Sequence, residues 1–381
     1  MENAQLDFER QKKAKEYSRI SRRLMVVDLT LSGLYALAWL VFGWSAGLRG
    51  ALEGVTINPW LLVLFYAIVF GAIYFLINLP MSYYSGFLLP HRFGQSNQTL
   101  RGWVVDQVKG ILVAGLLGLI LLELIYAVLR VFPDTWWIWA AAILLLFTVL
   151  LANLAPVLLM PIFYKFIPLG EEYQDLIERL RRLFERAGTK VQGVYKFDMS
   201  RRTKSANAAL TGLGSTRRII LGDTLLNEFT ADEIETVLAH ELGHHVNKDI
   251  PLGIAVETVT TVVGLFLASL ALEWGVGYFG FDGVGDIAGL PLFMLVMGIY
   301  GLITMPLSNA FSRWRERKAD RYALESTRNG RAFASAMTRL ANQNLSEVDP
   351  EPWVEFLLYS HPALEKRIKM AQEFEKGWNP A

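Results

Sequence analysis

Three of the five histidines in this 381-residue chain lie within one six-residue string, HELGHH, at 240–245. Residues four apart on a helix share a face, so His240 and His244 can bind one metal ion between them. Glu241 then lies beside the ion, where its carboxylate can take a proton from a bound water. His245 points about 100° away from that face, and we expect it not to be a ligand. The string therefore predicts a single catalytic zinc ion.

The zinc string requires a helix, and the residues before it predict where that helix begins. Thr230-Ala-Asp-Glu233 has the pattern of a capping box, in which Thr230 is the N-cap and Glu233 bonds back to it. Apolar residues follow at helical spacing, at Ile234, Val237, Leu238 and Leu242. The alternative is a surface helix with incidental histidines, which is improbable in a chain with so few of them.

A catalytic zinc ion needs three protein ligands and one open position for water. The chain contains no cysteine, so the third ligand must be a histidine, a glutamate or an aspartate. Glu316 is the best candidate, since it lies where the last apolar segment ends. Asp320, four residues later, could accept a hydrogen bond from the free nitrogen of a zinc histidine. Spacing alone leaves open that both acids belong to a solvated charged face.

The composition is typical of a multi-span membrane protein. Hydrophobic residues make up 53% of the chain and charged residues 19%, and the apolar residues fall in long blocks. The net charge of +1 gives no electrostatic support for binding a nucleic acid. We therefore expect two kinds of partner, the lipid bilayer and a peptide or protein substrate, and no nucleic acid.

Six segments contain the roughly 20 apolar residues that a helix needs to cross a bilayer. They are 25–48, 59–82, 110–132, 136–160, 251–275 and 286–311. This spacing divides the chain into five parts. They are a basic arm at 1–24, a four-span region at 25–160, the first half of a catalytic domain with the zinc helix at 161–250, two spans at 251–311, and the second half of that domain at 312–381.

Basic residues predict the orientation of these spans. The arm before the first span is rich in lysine and arginine, which places the N-terminus in the cytoplasm. Six spans return both catalytic segments to the same side, so we expect a multi-pass protein of the cell membrane with a cytoplasmic active site.

The segment before the zinc helix predicts a small sheet. VQGVYKFD at 191–198 and RRIILGDTLL at 217–226 have strand composition. The expected fold is mostly α, with about six transmembrane helices and a membrane-associated, zincin-like metallopeptidase domain that contains this sheet.

HELGHH, followed some seventy residues later by Glu316-x-x-Ala319-Asp320, resembles the type 1 CAAX prenyl endopeptidases and their relatives, which include the HtpX membrane proteases. The resemblance extends from about residue 17 and implies that Glu316 is the third zinc ligand and Asp320 the acid behind the ligands. Further blocks resemble the family in the same order, namely LPMSYYSGFLLPHRFGQSNQTLRGWVVDQVK at 79–109, SANAALTGL at 205–213, RRIILGDTLL at 217–226 and SHPALEKRI at 360–368.

The resemblance also implies roles for substrate-binding residues. Asn207 and Ala208 match the strand that holds the substrate main chain beside the zinc. His361 matches a histidine that contacts substrate and stabilises the oxyanion, and Arg367 matches an active-site arginine that we assign to substrate binding. Without the resemblance, His361 would be interpreted as an ordinary capping or core residue.

The implied activity is that of a zinc metalloendopeptidase in a compact, prokaryotic member of the family. The substrate is a peptide or protein, lipidated or membrane-embedded: a prenylated CAAX segment, or damaged membrane proteins as in the HtpX branch. One alternative is a non-catalytic membrane chaperone or scaffold, and another, suggested by span number alone, is a transporter. A third is a site-2-type intramembrane protease with Asp282 as a ligand, but the span map places Asp282 on the opposite side of the membrane.

Two acids lie within the predicted spans. Glu123 and Glu257 would each cost roughly 2.5–3.5 kcal/mol at mid-span if they faced lipid. We expect them to face a polar partner or a wet cavity.

Overall fold

The structure is a computed structural model, and it describes residues 4–212 and 217–377. Six helical segments in this part of the chain are long and apolar enough to cross a membrane, which confirms the predicted number. They are Phe8–Val41, Pro59–Arg92, Leu100–Val131, Trp136–Phe163, Asp249–Phe279 and Ile287–Thr327.

The first four of these segments, together with a short helix between the first and the second, comprise seven helices. They are α1 (Phe8–Val41), α2 (Trp44–Glu53), α3 (Pro59–Tyr83), α4 (Leu89–Arg92), α5 (Leu100–Val131), α6 (Trp136–Leu154) and α7 (Met160–Phe163). Single π-helical turns at Tyr84–Leu88 and Ala155–Leu159 join α3 to α4 and α6 to α7. Pro90 and Pro156 lie at these turns, and a proline has no N–H to continue the regular helical ladder.

The first helix differs from its predicted span at both ends. It begins at Phe8, capped by the Asp7 carboxylate, so the basic arm forms one continuous helix with the span. It ends at Val41, seven residues before the predicted end of the span, because Gly43 has a φ of 69°. A glycine in the left-handed region ends a helix, and the apolar residues beyond it form the separate helix α2.

The six spanning segments form a closed ring. Two of them, α11 (Asp249–Phe279) and α12 (Leu290–Thr327), follow the zinc helix in the chain. In order around the ring, α1, α3, α5, α6, α11 and α12 each contact the next, and α12 contacts α1. Buried side chains such as Trp39, Tyr66 and Trp136 fill the end of the ring that lies near the α1–α2 and α11–α12 connections.

The two intramembrane acids have different surroundings. Glu257 lines a small cavity whose other polar members are Thr148, Thr258 and Thr261, which agrees with the expected polar environment. Glu123 places its Oε2 atom in a buried position without a hydrogen-bond partner in the described chain.

A four-stranded sheet lies in the segment before the zinc helix. Its strands are β1 (Phe166–Pro168), β2 (Val194–Phe197), β3 (Ala208–Thr211) and β4 (Arg218–Gly222). The order is β1-β2-β4-β3, with β2 and β4 parallel and the two outer pairs antiparallel. The strand predicted at 217–226 ends at Gly222, because Asp223 begins the short helix α9 (Asp223–Glu228).

Helices from both halves of the catalytic region share a core with this sheet, namely α8 (Gln174–Arg186), α10 (Ala231–Val246), α13 (Gly330–Gln343) and α15 (Leu364–Gly377). Helix α14 (Pro352–Leu358) packs against α12 instead. Leu180, Leu221, Leu238 and Phe333 are completely buried in the shared core. Burying each such side chain stabilises the fold by about 1.5–3 kcal/mol, so this core joins the sheet, α8 and α10 to α13 and α15.

Candidate metal centre and active site

The zinc helix α10 begins as the sequence predicts. Thr230 Oγ1 accepts a hydrogen bond from the Glu233 amide at 3.3 Å, and Glu233 Oε2 accepts one from the Thr230 amide at 2.8 Å. This capping box satisfies two amide groups that would otherwise lack partners at the helix N-terminus. It fixes the start of the helix three turns before the histidines.

The two histidines of α10 and one glutamate of α12 converge at a single point. His240 Nε2 lies 3.2 Å from His244 Nε2. Glu316 places Oε2 3.2 Å from His240 Nε2 and Oε1 3.3 Å from His244 Nε2. Helix α10, which precedes two spans, and helix α12, which contains the last span, thus bring two imidazoles and one carboxylate together.

These distances fit a divalent cation. Bonds of about 2.0–2.1 Å in a tetrahedral site place neighbouring donor atoms about 3.3–3.4 Å apart. The two imidazole nitrogens are separated by nearly that distance, and so is each nitrogen from the Glu316 oxygen that faces it. Glu316 Oε2 is also buried without a hydrogen-bond donor among the described residues, as a ligand oxygen would be. Two imidazoles and one carboxylate therefore form a three-ligand set that leaves a fourth position open.

Each histidine is held by a carboxylate on its other ring nitrogen. Asp320 Oδ1 lies 2.7 Å from Nδ1 of His240, and Asp249 Oδ2 lies 2.8 Å from Nδ1 of His244. Such pairs fix the ring orientation and direct Nε2 toward the metal position. Sequence reasoning missed Asp249. The available signal was an acid five residues after His244, at the first position of α11.

Arg367 lies behind the centre rather than on its open side. The residue is only 8% exposed, and its Nε donates to Asp320 Oδ2 at 2.8 Å while Nη2 donates to Asp320 Oδ1. This two-point pair orients the carboxylate that holds His240. Arg367 Nη2 also lies 3.4 Å from Nδ1 of His240, so the polar contacts of Arg367 are with one candidate ligand and with the carboxylate that supports it.

The electrostatics of the centre favour a cation. Burial lowers the pKa of His240, but the neighbouring carboxylates of Asp320 and Glu316 outweigh burial and raise the pKa to about 9. Burial raises the pKa of Glu241 despite the opposing effect of His240 and His244. A carboxylate with a raised pKa is a stronger base than an exposed one, which suits proton transfer.

His361 lies on the open side of the three donor atoms. Its Nε2 is 3.4 Å from Glu316 Oε1, its Nδ1 is 3.0 Å from Ser360 Oγ, and its side chain is 60% exposed. Burial against the centre lowers its pKa, and Glu316 only partly offsets that effect. The imidazole is therefore within reach of both the metal position and solvent.

The strand predicted to hold substrate lies at the edge of the sheet. Asn207 immediately precedes β3, and its carbonyl accepts a hydrogen bond from the Gly222 amide at 2.9 Å. Backbone groups alternate sides along an antiparallel ladder, so those of Ala208 point away from β4. Because β3 contacts α10, this free edge lies beside the helix that carries the histidines.

Two other candidate residues lie outside the centre. His245 does not belong to the cluster of possible ligands. Asp282 pairs with Arg49 beyond the end of α11, and its side chain is 73% exposed. The 31 residues of α11 span about 46 Å, which separates Asp282 from the metal position.

Gly243 allows α10 and α12 to approach closely enough for Glu316 to reach the histidines. A Cβ atom at this position would lie 2.9 Å from the Ala319 Cα. We expect Gly243→Ala to push the two helices apart, at a cost of about 1–3 kcal/mol, and to weaken metal binding roughly tenfold. Metal titration of the purified variant measures this. Gly277→Ala, in open space on α11, is the matched control, and unchanged affinity in Gly243→Ala would contradict the packing argument.

Asp249 gives a second prediction at this centre. Asp249→Asn removes the negative charge behind His244 and should weaken metal affinity about 10- to 100-fold, with the fold retained. Competition with a chelator measures the affinity, and circular dichroism checks the fold. Affinity equal to that of the unmodified protein would show that Asp249 does not support His244.

Together, the helical membrane ring and the three-donor centre define the class of protein, a membrane-embedded metallopeptidase. Comparison with known families gives the particular family. A model described as the CAAX prenyl protease N-terminal region with five membrane helices matches residues 3–165, and the model of peptidase family M48 matches residues 171–375. The chain belongs to peptidase family M48 and, within it, to the type 1 CAAX prenyl proteases.

Individual relatives agree with this assignment. The chain is 29% identical over 368 residues to the uncharacterized metalloprotease YhfN of Bacillus subtilis, covering 96% of this chain and 86% of that protein. It is 30% identical over 311 residues to CAAX prenyl protease 1 of Saccharomyces cerevisiae, with 77% and 68% covered. The crystal structure of S. mikatae Ste24p has a TM-score of 0.84 and 26% identity, with 96% and 90% covered. The chain is thus a multi-pass membrane metalloendopeptidase that acts on peptides or proteins.

Proposed function

We propose that this protein is a zinc endopeptidase whose ion is held by His240, His244 and Glu316 and whose proton-transfer base is Glu241. The observation that carries the proposal is the convergence of two imidazole nitrogens and the Glu316 carboxylate at 3.2–3.3 Å, with the half-buried Glu241 beside them. Two imidazoles and one glutamate with a fourth position open are a ligand set of catalytic zinc in metallopeptidases.

The chain's own residues then have distinct tasks. When bound, zinc supplies the Lewis acidity that activates water and polarises the scissile carbonyl. Glu241 accepts the proton of the attacking water and passes it to the departing amine. His361, on the open side, donates a hydrogen bond to the oxyanion that develops at the carbonyl. Asp320, held by Arg367, and Asp249 keep the two imidazoles in place.

Substrate would bind as an added strand. The free edge of β3 offers the main-chain groups of Ala208 beside α10, and Asn207 fixes the strand to β4. An extended peptide that pairs with this edge has its main chain held by hydrogen bonds rather than by side-chain identity. This arrangement suits an enzyme that places a peptide bond next to the ion.

We infer that the substrate is a peptide with a prenylated cysteine near its C-terminus. Support comes from the relatives named CAAX prenyl protease 1, one of which shares 30% identity with this chain. The purified protein should cleave a farnesylated CAAX peptide at least about tenfold faster than the unmodified peptide of the same sequence. Equal rates would favour the alternative function, a quality-control protease of the HtpX kind that acts on membrane proteins without a prenyl requirement.

We infer further that the active site faces the cytoplasm of the cell membrane, because the basic residues of the N-terminal helix and of both catalytic segments lie on one side of the spans. The chain has no cysteine, so single cysteines can report the orientation. A cysteine at the exposed position Arg181 should react only from the cytoplasmic side, and one at Asp282 only from the other side. The opposite pattern would overturn the orientation.

A further inference from the structure

The free edge of the sheet continues beyond β3 in the direction of its N-terminus. Thr224 Oγ1 donates to the Ser205 carbonyl at 2.7 Å, and the Gly222 amide donates to the Asn207 carbonyl at 2.9 Å. Both contacts lie on the β4 side. Since backbone groups alternate, the groups of Ala206 point to the same free edge as those of Ala208 and Leu210.

One side chain already occupies this edge at Ala206. Asn344 Oδ1 accepts a hydrogen bond from the Ala206 amide at 2.7 Å, and Asn344 Nδ2 donates to the Ala206 carbonyl at 3.2 Å. A side-chain amide that pairs with both backbone groups of one residue imitates a residue of a neighbouring strand. The main-chain groups of Ala208 and Leu210 have no such partner within residues 4–212 and 217–377.

The segment that carries Asn344 is held in position from several directions. Leu345 has a φ of 51°, in the left-handed region that a leucine rarely adopts, and it is nevertheless almost fully buried. Gln11 of α1 donates to the Ser346 carbonyl and accepts from the Val348 amide, both at 3.1 Å. The position of Asn344 is therefore imposed by surrounding structure, as expected of a group with a fixed task.

The direction of the substrate follows from strand chemistry. Antiparallel pairs are slightly more stable per residue than parallel pairs, so an added strand should run against β3. Its carboxyl-terminal part then points toward Ala206. A substrate strand that pairs with Ala208 and Leu210 therefore meets Asn344 as it continues beyond the scissile bond.

We propose that Asn344 is a specificity-determining residue that ends the substrate-binding edge. It restricts substrate main-chain pairing to Ala208 and Leu210, and so favours substrates with few residues after the cleaved bond. This inference rests on the proposed function, because it assumes that peptides bind as a strand added to β3. Asn344 is not assigned to the chemical step, and its removal should leave metal binding intact.

The test compares two farnesylated peptides, one ending three residues after the prenylated cysteine and one extended by four further residues. Asn344→Ala exposes the amide and carbonyl of Ala206, and two main-chain hydrogen bonds become available to the longer peptide. Because each is worth about 0.5–1.5 kcal/mol, the ratio of kcat/KM for the long peptide to that for the short one should rise roughly tenfold. Metal content should stay unchanged.

Two variants serve as controls. Asn344→Asp keeps the size of the side chain and the acceptor for the Ala206 amide. The long-to-short ratio of kcat/KM in this variant should therefore stay near that of the unmodified enzyme. Asn342→Ala, on the same segment, removes bonds to Gln5 and Asp7 but none to the edge, and should also leave the ratio unchanged. An equal fall in kcat/KM for both peptides in Asn344→Ala would indicate a merely structural role and overturn the inference.

The same peptide pair without the farnesyl group separates the two proposals. If the unmodified enzyme cleaves only the unprenylated pair, the proposed substrate class is wrong, and the effect of Asn344 is measured on that pair. If it cleaves the prenylated pair and Asn344→Ala leaves the ratio unchanged, only the inference about Asn344 fails. If it cleaves neither pair, both proposals are overturned.

Discussion

Glu241→Gln should lower kcat for peptide cleavage by about 10²- to 10⁴-fold while the protein keeps its metal. The amide has nearly the shape of the carboxylate but cannot accept a proton from water. Glu241 is not among the three converging ligands, so its replacement leaves their donor atoms in place. Metal content by mass spectrometry and a cleavage assay on the same preparation measure the two effects separately.

His245→Ala is the matched control for this prediction. The residue lies on the same helix, four positions from Glu241, and outside the cluster of ligands. It should retain both metal and activity. Cleavage at an unchanged rate by Glu241→Gln would remove Glu241 from the mechanism and would favour another base near the metal position.

Glu316→Ala should lose the metal as well as the activity. Two histidines four residues apart bind a divalent ion weakly, and the third candidate ligand, Glu316, lies on another helix. We expect metal affinity to fall by more than the roughly 100-fold that loss of a supporting carboxylate can cause. Equilibrium dialysis at several metal concentrations measures the affinity, and addition of excess metal should restore little activity.

The control for Glu316→Ala is Glu325→Ala, an exposed glutamate of the same helix that pairs only with Arg321 among the contacts described. Its metal content and activity should equal those of the unmodified protein. Metal binding preserved in Glu316→Ala would mean that another side chain completes the centre, and the three-ligand arrangement would have to be abandoned.

The features that could be predicted from the sequence are those that depend on neighbouring residues. The start of α10 follows from the capping box at Thr230 and Glu233, and the shared face of His240 and His244 follows from helical geometry. The number of spans follows from the length of the apolar blocks. Each of these depends on interactions within a few turns of one helix.

Other features could not be predicted because they depend on a local backbone conformation that composition does not reveal, or on residues distant in the chain. The end of α1 at Val41 depends on the backbone conformation of Gly43, which apolar composition does not reveal. Asp249 could be suspected from its position near His244, but its bond to Nδ1 depends on the angle between α10 and α11. Asn344 gave no signal, since its partner Ala206 lies 138 residues away.

The sequence by itself determined which residues could bind a metal and that they would be carried by a membrane protein, because residue type, helical periodicity and hydrophobicity act locally. Only the tertiary structure decided that Glu316 reaches the two histidines, that Asp249 and Asp320 support them, and that Asn344 closes the edge of the sheet. Those arrangements require helices from both halves of the chain to pack at fixed distances. That packing arises from the burial of side chains contributed by many segments, as in the contact of Gly243 with Ala319.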